Sequence, residues 1–240
     1  MTRSFAADRL LREPAPAEPE PLVQRLLRGP VRWLFERVFD FSAEGLEHLP
    51  GAGPCIVAAN HHNYLDGVVL QLATPRPIRF IVMPRVWRAT PLHPLFHRHI
   101  GSIPISLERP DVGGLRQALG RLAGGGVVGI FPEGPFSVRG RLERGLPGVA
   151  LLALRSGVPV VPAAIDGTYD ALRGRRFYVP RRHPLSVRFG PPMYFGRSRH
   201  RPVSRADRAE ITRRIMAEIA ALLASPREPD VAAPGRAGAW

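Results

Sequence analysis

The 240-residue sequence contains no lysine, so all 34 of its basic residues are arginine. That absence removes two chemistries at once, because a Walker A phosphate loop and a pyridoxal Schiff base each require a lysine. It also bears on the net charge of +14. An all-arginine surplus is what GC-rich coding produces without selection for a binding surface. Charge alone therefore does not choose between nucleic acid, a phospholipid surface and acidic substrates. Cysteine is almost absent too. The single Cys55 can form no internal disulfide, and its place in the apolar run Cys-Ile-Val-Ala-Ala reads as a small buried residue rather than a nucleophile. The N-terminus lacks the apolar stretch of a secretory signal, and no run of about 18 uninterrupted apolar residues exists to span a bilayer. The expectation is a chain that is cytoplasmic or lies on a membrane.

What is present is enough for one core: the hydrophobic share is 45%, which suits a single domain of this length. Residues 1–20 end in Pro-Ala-Pro-Ala-Glu-Pro-Glu and 226–240 are rich in Pro, Ala and Gly; both read as disordered tails, leaving 21–225 as the folded domain. From Pro21 to Phe41, Leu27, Val31, Leu34, Phe35 and Val38 recur at helical spacing, with Arg25, Arg28 and Arg32 on another face and Trp33 beside it. Pro30 should start or kink a helix there. This amphipathic segment either lies in a lipid interface or packs on its own domain. Beyond it, short apolar runs alternate with helical patterns, the signature of an α/β domain around a central, largely parallel sheet flanked by helices. The expected strands are 55–59, 78–83, 102–105, 127–131, 158–164 and 185–189. The expected helices are 65–72, 112–122, 148–155 and 204–223.

Three segments carry chemistry. Asn60-His61-His62-Asn63-Tyr64-Leu65-Asp66 follows the first expected strand and enters a helix, which puts His61 where ligands bind in open α/β sheets. A carboxylate five residues after a histidine can accept the proton of one ring nitrogen, fix the tautomer and leave the other nitrogen basic. That is the His and Asp portion of a nucleophile triad, with an acceptor hydroxyl standing where an enzyme serine would be. Of the eight histidines only His61 has this spacing, and the alternative is a capping or loop histidine. The second segment, Val127 to Gly134, is a buried strand broken at Pro132 that exposes Glu133 at its C-terminal end. Glu133 either reads a substrate hydroxyl or holds its loop together. The third, Gly157 to Gly167, is a strand flanked by prolines that by itself reads as core.

Together these segments resemble the glycerolipid acyltransferases of the 1-acylglycerol-3-phosphate O-acyltransferase type. The likeness begins at Gly45-Leu46-Glu47-His48-Leu49-Pro50 and extends to about Pro192. His61 and Asp66 match the family's His-x4-Asp catalytic pair, and Asn60 matches the Asn usually before it. Phe131-Pro132-Glu133-Gly134 matches the first half of the Phe-Pro-Glu-Gly-Thr-Arg block, and Val158 to Ala164 matches the fourth block. The resemblance implies transfer of a fatty acyl group from acyl-CoA or acyl-carrier protein to a hydroxyl of a lysophospholipid or similar lipid. His61 is then the general base and Asp66 orients it. No metal or cofactor is implied. Asn60, Gly101, Phe131, Pro132, Glu133 and Gly134 are the implied substrate-binding positions, and an anionic membrane surface the implied partner, with peripheral attachment at the cytoplasmic face.

The sequence departs from the family at two places. Pro135-Phe136 stands where Thr-Arg is usual, and Leu107 stands where an arginine follows the second block (Gly101-Ser102-Ile103-Pro104-Ile105). Both missing arginines are associated in the family with the acceptor's phosphate. Arg109, Arg139 and Arg144 lie within a few residues of expected site-facing strand ends and are the candidates to replace them. Otherwise the acceptor carries no phosphate.

Other signals point elsewhere. Gly124-Gly125-Gly126 follows a helix and precedes a strand, so it reads as a C-cap and turn rather than a nucleotide loop. His93 and His97 lack an acidic or Cys partner for zinc. Residues 86–96 mix aromatic, aliphatic and basic side chains and suit either a lip that meets lipid or a loop packed on the core. Two other functions fit the composition: a basic protein that binds membrane or nucleic acid without catalysis, and hydrolysis of the thioester by the same pair. Scattered arginines without a nucleic-acid signature make nucleic acid no expected partner.

Overall fold

The computed structural model of the protein describes residues 22–88, 91, 93–106, 111–137, 139–173, 180–198 and 203–225. The two expected tails and Arg109 lie outside them. Helix α1 (Leu22–Phe39) continues on both sides of Pro30, so that proline does not start it. It turns one side to the core through Val31, Phe35 and Val38, while Leu22, Leu26 and Trp33 stay exposed. Strand β1 (Ser42–Glu44) follows, then a single 3-10 turn at Leu46–His48. Next come β2 (Cys55–Ala59), α2 (Leu65–Ala73), β3 (Ile78–Val82), α3 (Pro84–Trp87), α4 (His93–His99) and β4 (Ile103–Pro104). The remainder is α5 (Val112–Ala123), β5 (Val127–Ile130), α6 (Gly148–Ser156), β6 (Val160–Asp166), α7 (Thr168–Ala171), β7 (Ser186–Phe189) and α8 (Arg205–Ala224).

Local chemistry sets several of these boundaries. Asp111 caps α5 by accepting the N–H of Gly114 at 2.8 Å, and the helix ends where Gly124, Gly125 and Gly126 return their N–H groups to its last carbonyls. Ser204 caps α8 by accepting from Asp207 at 2.9 Å.

The seven strands form one sheet in the order β1-β7-β6-β2-β5-β3-β4. From β6 to β4 every neighbour is parallel, while β7 runs antiparallel to β6 and carries β1 parallel beside it. The result is a single α/β domain with a mostly parallel sheet flanked by helices. All of β2 is buried, as a central strand covered on both faces must be. Its side chains alternate between two cores. Cys55, Val57 and Ala59 join α1 and α2 on one face; Ile56 and Ala58 join α5, α6 and α8 on the other. Because β6, β2 and β5 are adjacent and parallel, their C-terminal ends converge, and the three segments singled out in the sequence meet there.

Candidate functional site

Beyond Ala59 the chain turns into α2, and its polar side chains are consumed in holding that turn. Asn60 is fully buried; its amide donates to the carbonyl of Ile165 at 2.8 Å and accepts from the same residue's N–H at 2.7 Å. It bridges β2 to β6, so the expectation that Asn60 touches substrate is corrected: no part of its amide faces outward. Asn63 donates to the Thr168 carbonyl at 2.8 Å and accepts from Leu65 N–H at 2.9 Å. The end of β6 and the start of α7 thus grip the turn from one side.

The catalytic candidates meet as their spacing suggested. His61 Nδ1 lies 2.8 Å from Asp66 Oδ2. The same oxygen accepts the backbone N–H groups of His62 at 2.6 Å and Asn63 at 2.7 Å. With Asp66 ionised and acceptor-only, Nδ1 is the nitrogen that carries and donates the proton to Oδ2, which leaves Nε2 as the basic nitrogen. Asp66 is fully buried in the first turn of α2, where the helix dipole favours a negative charge. His61 is 9% exposed. Its ring stacks on Phe131 with centroids 3.8 Å apart and meets Phe136 edge-on at 4.4 Å. Phe131 in turn lies parallel to Phe80 at 5.8 Å, and Phe136 meets Tyr64 at 4.7 Å. Burial holds the neighbouring His62 imidazole below its ordinary range, so it is neutral at pH 7.

Phe131-Pro132-Glu133-Gly134 forms a turn closed by Gly134 N–H to the Phe131 carbonyl at 3.0 Å, with Gly134 at φ +78°. The turn aims Glu133 inward. One oxygen accepts His61 N–H at 2.8 Å and the other Glu143 N–H at 2.7 Å. Of the two roles the sequence left open, this geometry is the loop-holding one. Burial pushes the Glu133 carboxyl up to about 7, with the Asp66 charge adding to it and the two backbone N–H groups opposing.

His61 opens onto a cavity of about 1120 Å³. Phe80, Ile130, Phe131, Leu115, Val149 and Leu152 are among the apolar side chains of its wall, and Leu27, Arg28 and Val31 of α1 reach its rim. Phe131, Pro132 and Gly134 line it; Gly101, Arg139 and Arg144 do not. Gly101, at φ +68°, is packed against the Arg79 side chain, and both arginines are exposed on the loop after β5. None of the three forms part of the cavity wall. Sequence proximity to a strand end was the only signal for the arginines, and both are exposed rather than part of the cavity wall. Residues the sequence reading passed over are Asn63, whose position just before a helix is a turn-forming signal, Ser137, whose N–H donates to the His61 carbonyl at 2.8 Å, and Tyr64.

Comparison with known proteins gives the family and the fold. A chloroplastic 1-acyl-sn-glycerol-3-phosphate acyltransferase of Brassica napus is 32% identical over 128 residues, 52% of this chain and 37% of that protein. One from Arabidopsis thaliana is 31% identical over 133 residues, 54% of this chain and 37% of that protein. The chain thus spans well under half the length of these curated relatives. The crystal structure of the 1-acyl-sn-glycerophosphate acyltransferase PlsC from Thermotoga maritima shares the fold, with a TM-score of 0.61 at 22% identity and 85% of each chain covered. The family model described as Acyltransferase matches residues 40–166, more than half of the sequence, and the chain belongs to that acyltransferase family.

Proposed function

We propose that the protein transfers a fatty acyl group from a thioester, acyl-CoA or acyl-carrier protein, to a hydroxyl of a glycerolipid-like acceptor. The observation that carries this reading is the His61–Asp66 pair, 2.8 Å apart, at the mouth of a large apolar cavity. The cavity suits an alkyl chain, because burying methylene groups against such a wall is favourable by about 0.8 kcal/mol each. Nε2 of His61 takes the proton of the acceptor hydroxyl as its oxygen bonds to the thioester carbonyl carbon. The tetrahedral adduct collapses with cleavage of the carbon–sulfur bond, and the leaving thiolate takes the proton back from Nε2. Asp66 holds the tautomer and stabilises the imidazolium between the two transfers. No covalent enzyme intermediate is needed. The names of the plant relatives support 1-acylglycerol-3-phosphate as the acceptor.

One observation favours a second reading, in which the acceptor is uncharged. Phe136 packs against both His61 and Tyr64, and neither Arg139 nor Arg144 lines the cavity. The test is product analysis of the full chain with palmitoyl-CoA or palmitoyl-carrier protein, offered lysophosphatidic acid or a matched monoacylglycerol. Acyl transfer that vanishes in His61→Ala supports the function. Release of free fatty acid alone, with either acceptor present, points to hydrolysis instead. A preference for monoacylglycerol, unchanged in Arg139→Ala and Arg144→Ala, selects the uncharged acceptor.

The same reading places the protein peripherally on the cytoplasmic face of an anionic membrane. Leu22, Leu26 and Trp33 are exposed on α1, interleaved with the exposed Arg25 and Arg37, and the helix borders the cavity that would receive the acyl chain. Apolar and basic side chains so combined suit a helix lying in a lipid interface.

A further inference from the structure

Among the described residues three hydrogen bonds fix His61, and only one of them is the pairing with Asp66. Its backbone N–H donates to Glu133 Oε1 at 2.8 Å, and its carbonyl accepts the N–H of Ser137 at 2.8 Å. Both partners lie in the segment after β5. Glu133 uses its other oxygen on the N–H of Glu143 at 2.7 Å, and the Leu146 N–H closes the segment on the Pro132 carbonyl at 2.7 Å. One carboxylate therefore joins the histidine turn to both ends of the neighbouring loop. That loop also supplies Phe131 and Phe136, the two rings that hold the imidazole. Glu133 is 4% exposed, and among the described residues its hydrogen-bond partners are these two N–H groups alone. Asp66 and Glu143 are the charged groups that act on it, and His61 bonds to both carboxylates, through its backbone N–H to Glu133 and its ring to Asp66.

We propose that Glu133 is a positioning residue, whose ionised carboxylate grips the backbone of His61 and Glu143 together and so aims the imidazole at the mouth of the cavity. The inference rests on the acyl-transfer reading only for its consequence in rate; the grip itself is geometric. It gives the second half of the catalytic apparatus a definite task. Here the two backbone N–H groups point at different oxygens of one side chain, so both are satisfied only when both of its terminal atoms accept. Glutamine offers an oxygen and an NH2 group, and leaves one N–H facing another donor; protonated glutamate keeps only a weak hydroxyl acceptor at one of the two positions. Burial displaces the Glu133 carboxyl to about 7, which brings loss of the grip within reach of mildly acidic solution.

The test uses the full chain and Glu133→Gln, with palmitoyl-CoA as donor and 1-oleoyl lysophosphatidic acid as acceptor, together with amide hydrogen exchange. Kcat should fall about 10- to 100-fold, the scale of a catalytic group displaced by about an ångström, while the donor KM stays within about twofold. The amides of His61 and Glu143 should lose protection, while those of Val57 and Val161 in the central strands keep theirs. The acid limb of kcat/KM should be steeper in the wild type, which needs two groups deprotonated, than in the variant, which needs one. Wild-type turnover in the variant overturns the proposal, as does a raised KM at unchanged kcat, or lost turnover with both amides still protected. Should the variant fail to fold, wild-type exchange decides: protection of the two amides that falls between pH 8 and pH 6 supports the grip, and constant protection overturns it. A wild type that transfers no acyl group refutes the proposed activity and leaves the exchange result standing.

Discussion

At the scale of single residues, the Asp66 carboxylate is lopsided. Oδ2 serves His61, His62 and Asn63, whereas Oδ1 is buried without a hydrogen-bond partner among the described residues. An asparagine can place its oxygen where Oδ2 stands and its amide where Oδ1 stands. Asp66→Asn thus removes the charge with little disturbance of the geometry. Its melting temperature should stay within a few degrees of the parent, and its kcat should fall, because the imidazolium formed during transfer loses its counter-charge. His61→Ala removes the base itself and should cost about 10² to 10⁴-fold. Steady-state kinetics beside thermal denaturation checks both. Full activity in His61→Ala sinks the mechanism, and an unfolded Asp66→Asn shows that the carboxylate is needed for the turn rather than for the chemistry.

At the scale of elements, the imidazole depends on a strand it never touches. Gly129 of β5 pairs with Phe80 of β3, and a Cβ at that glycine would lie 2.5 Å from Ile78 Cγ2 and 2.6 Å from Phe80 Cδ1. Gly129→Ala must push Phe80 against Phe131 and, through it, against His61. A stability loss of about 1 to 3 kcal/mol by chemical denaturation, typical of overpacking, should accompany reduced kcat. Helix α1 makes a different prediction: Leu22→Ser, Leu26→Ser and Trp33→Ser together should weaken co-sedimentation with anionic vesicles, and added salt should weaken it further by screening arginine. Unchanged binding to neutral vesicles at high salt would show that the arginines contribute little. The central strands were legible because β2, β5 and β6 are continuous apolar runs ending in polar turns. Strand β1 was not, since Ser42-Ala43-Glu44 has no apolar pattern and exists by pairing with β7. Nor was the reversed direction of β7, as a run of apolar residues does not say which way its neighbour runs. The His61–Asp66 contact could be read because it is local. The bridge from Asn60 to Ile165 spans 105 residues, so the sequence could suggest a role for Asn60 but not its partner.

At the scale of the whole molecule, one buried acid links folding to working pH. The Glu133 carboxyl moves from an ordinary 4.5 to about 7 in the folded chain, which corresponds to about 3 kcal/mol in favour of the protonated form. The folded state binds this proton more tightly than the unfolded one. The resulting stability is fully present below about pH 4.5 and is lost as pH rises through 7. His62 acts in the opposite direction, since burial favours its neutral form and stability falls as acid charges it. The comparison with Glu133→Gln isolates the glutamate. Relative to that variant, the wild type should resist urea better at pH 6 than at pH 8, and an equal difference at the two values refutes the linkage. Acyl transfer as proposed depends on the Glu133 carboxylate, and so should run the other way, rising toward pH 8. The stability that Glu133 contributes is therefore greatest where turnover is least. Set against Glu133→Gln, the wild type should gain more storage lifetime at slightly acid than at slightly alkaline pH and regain full turnover on return to pH 8, a reversible dormancy traced to a single side chain.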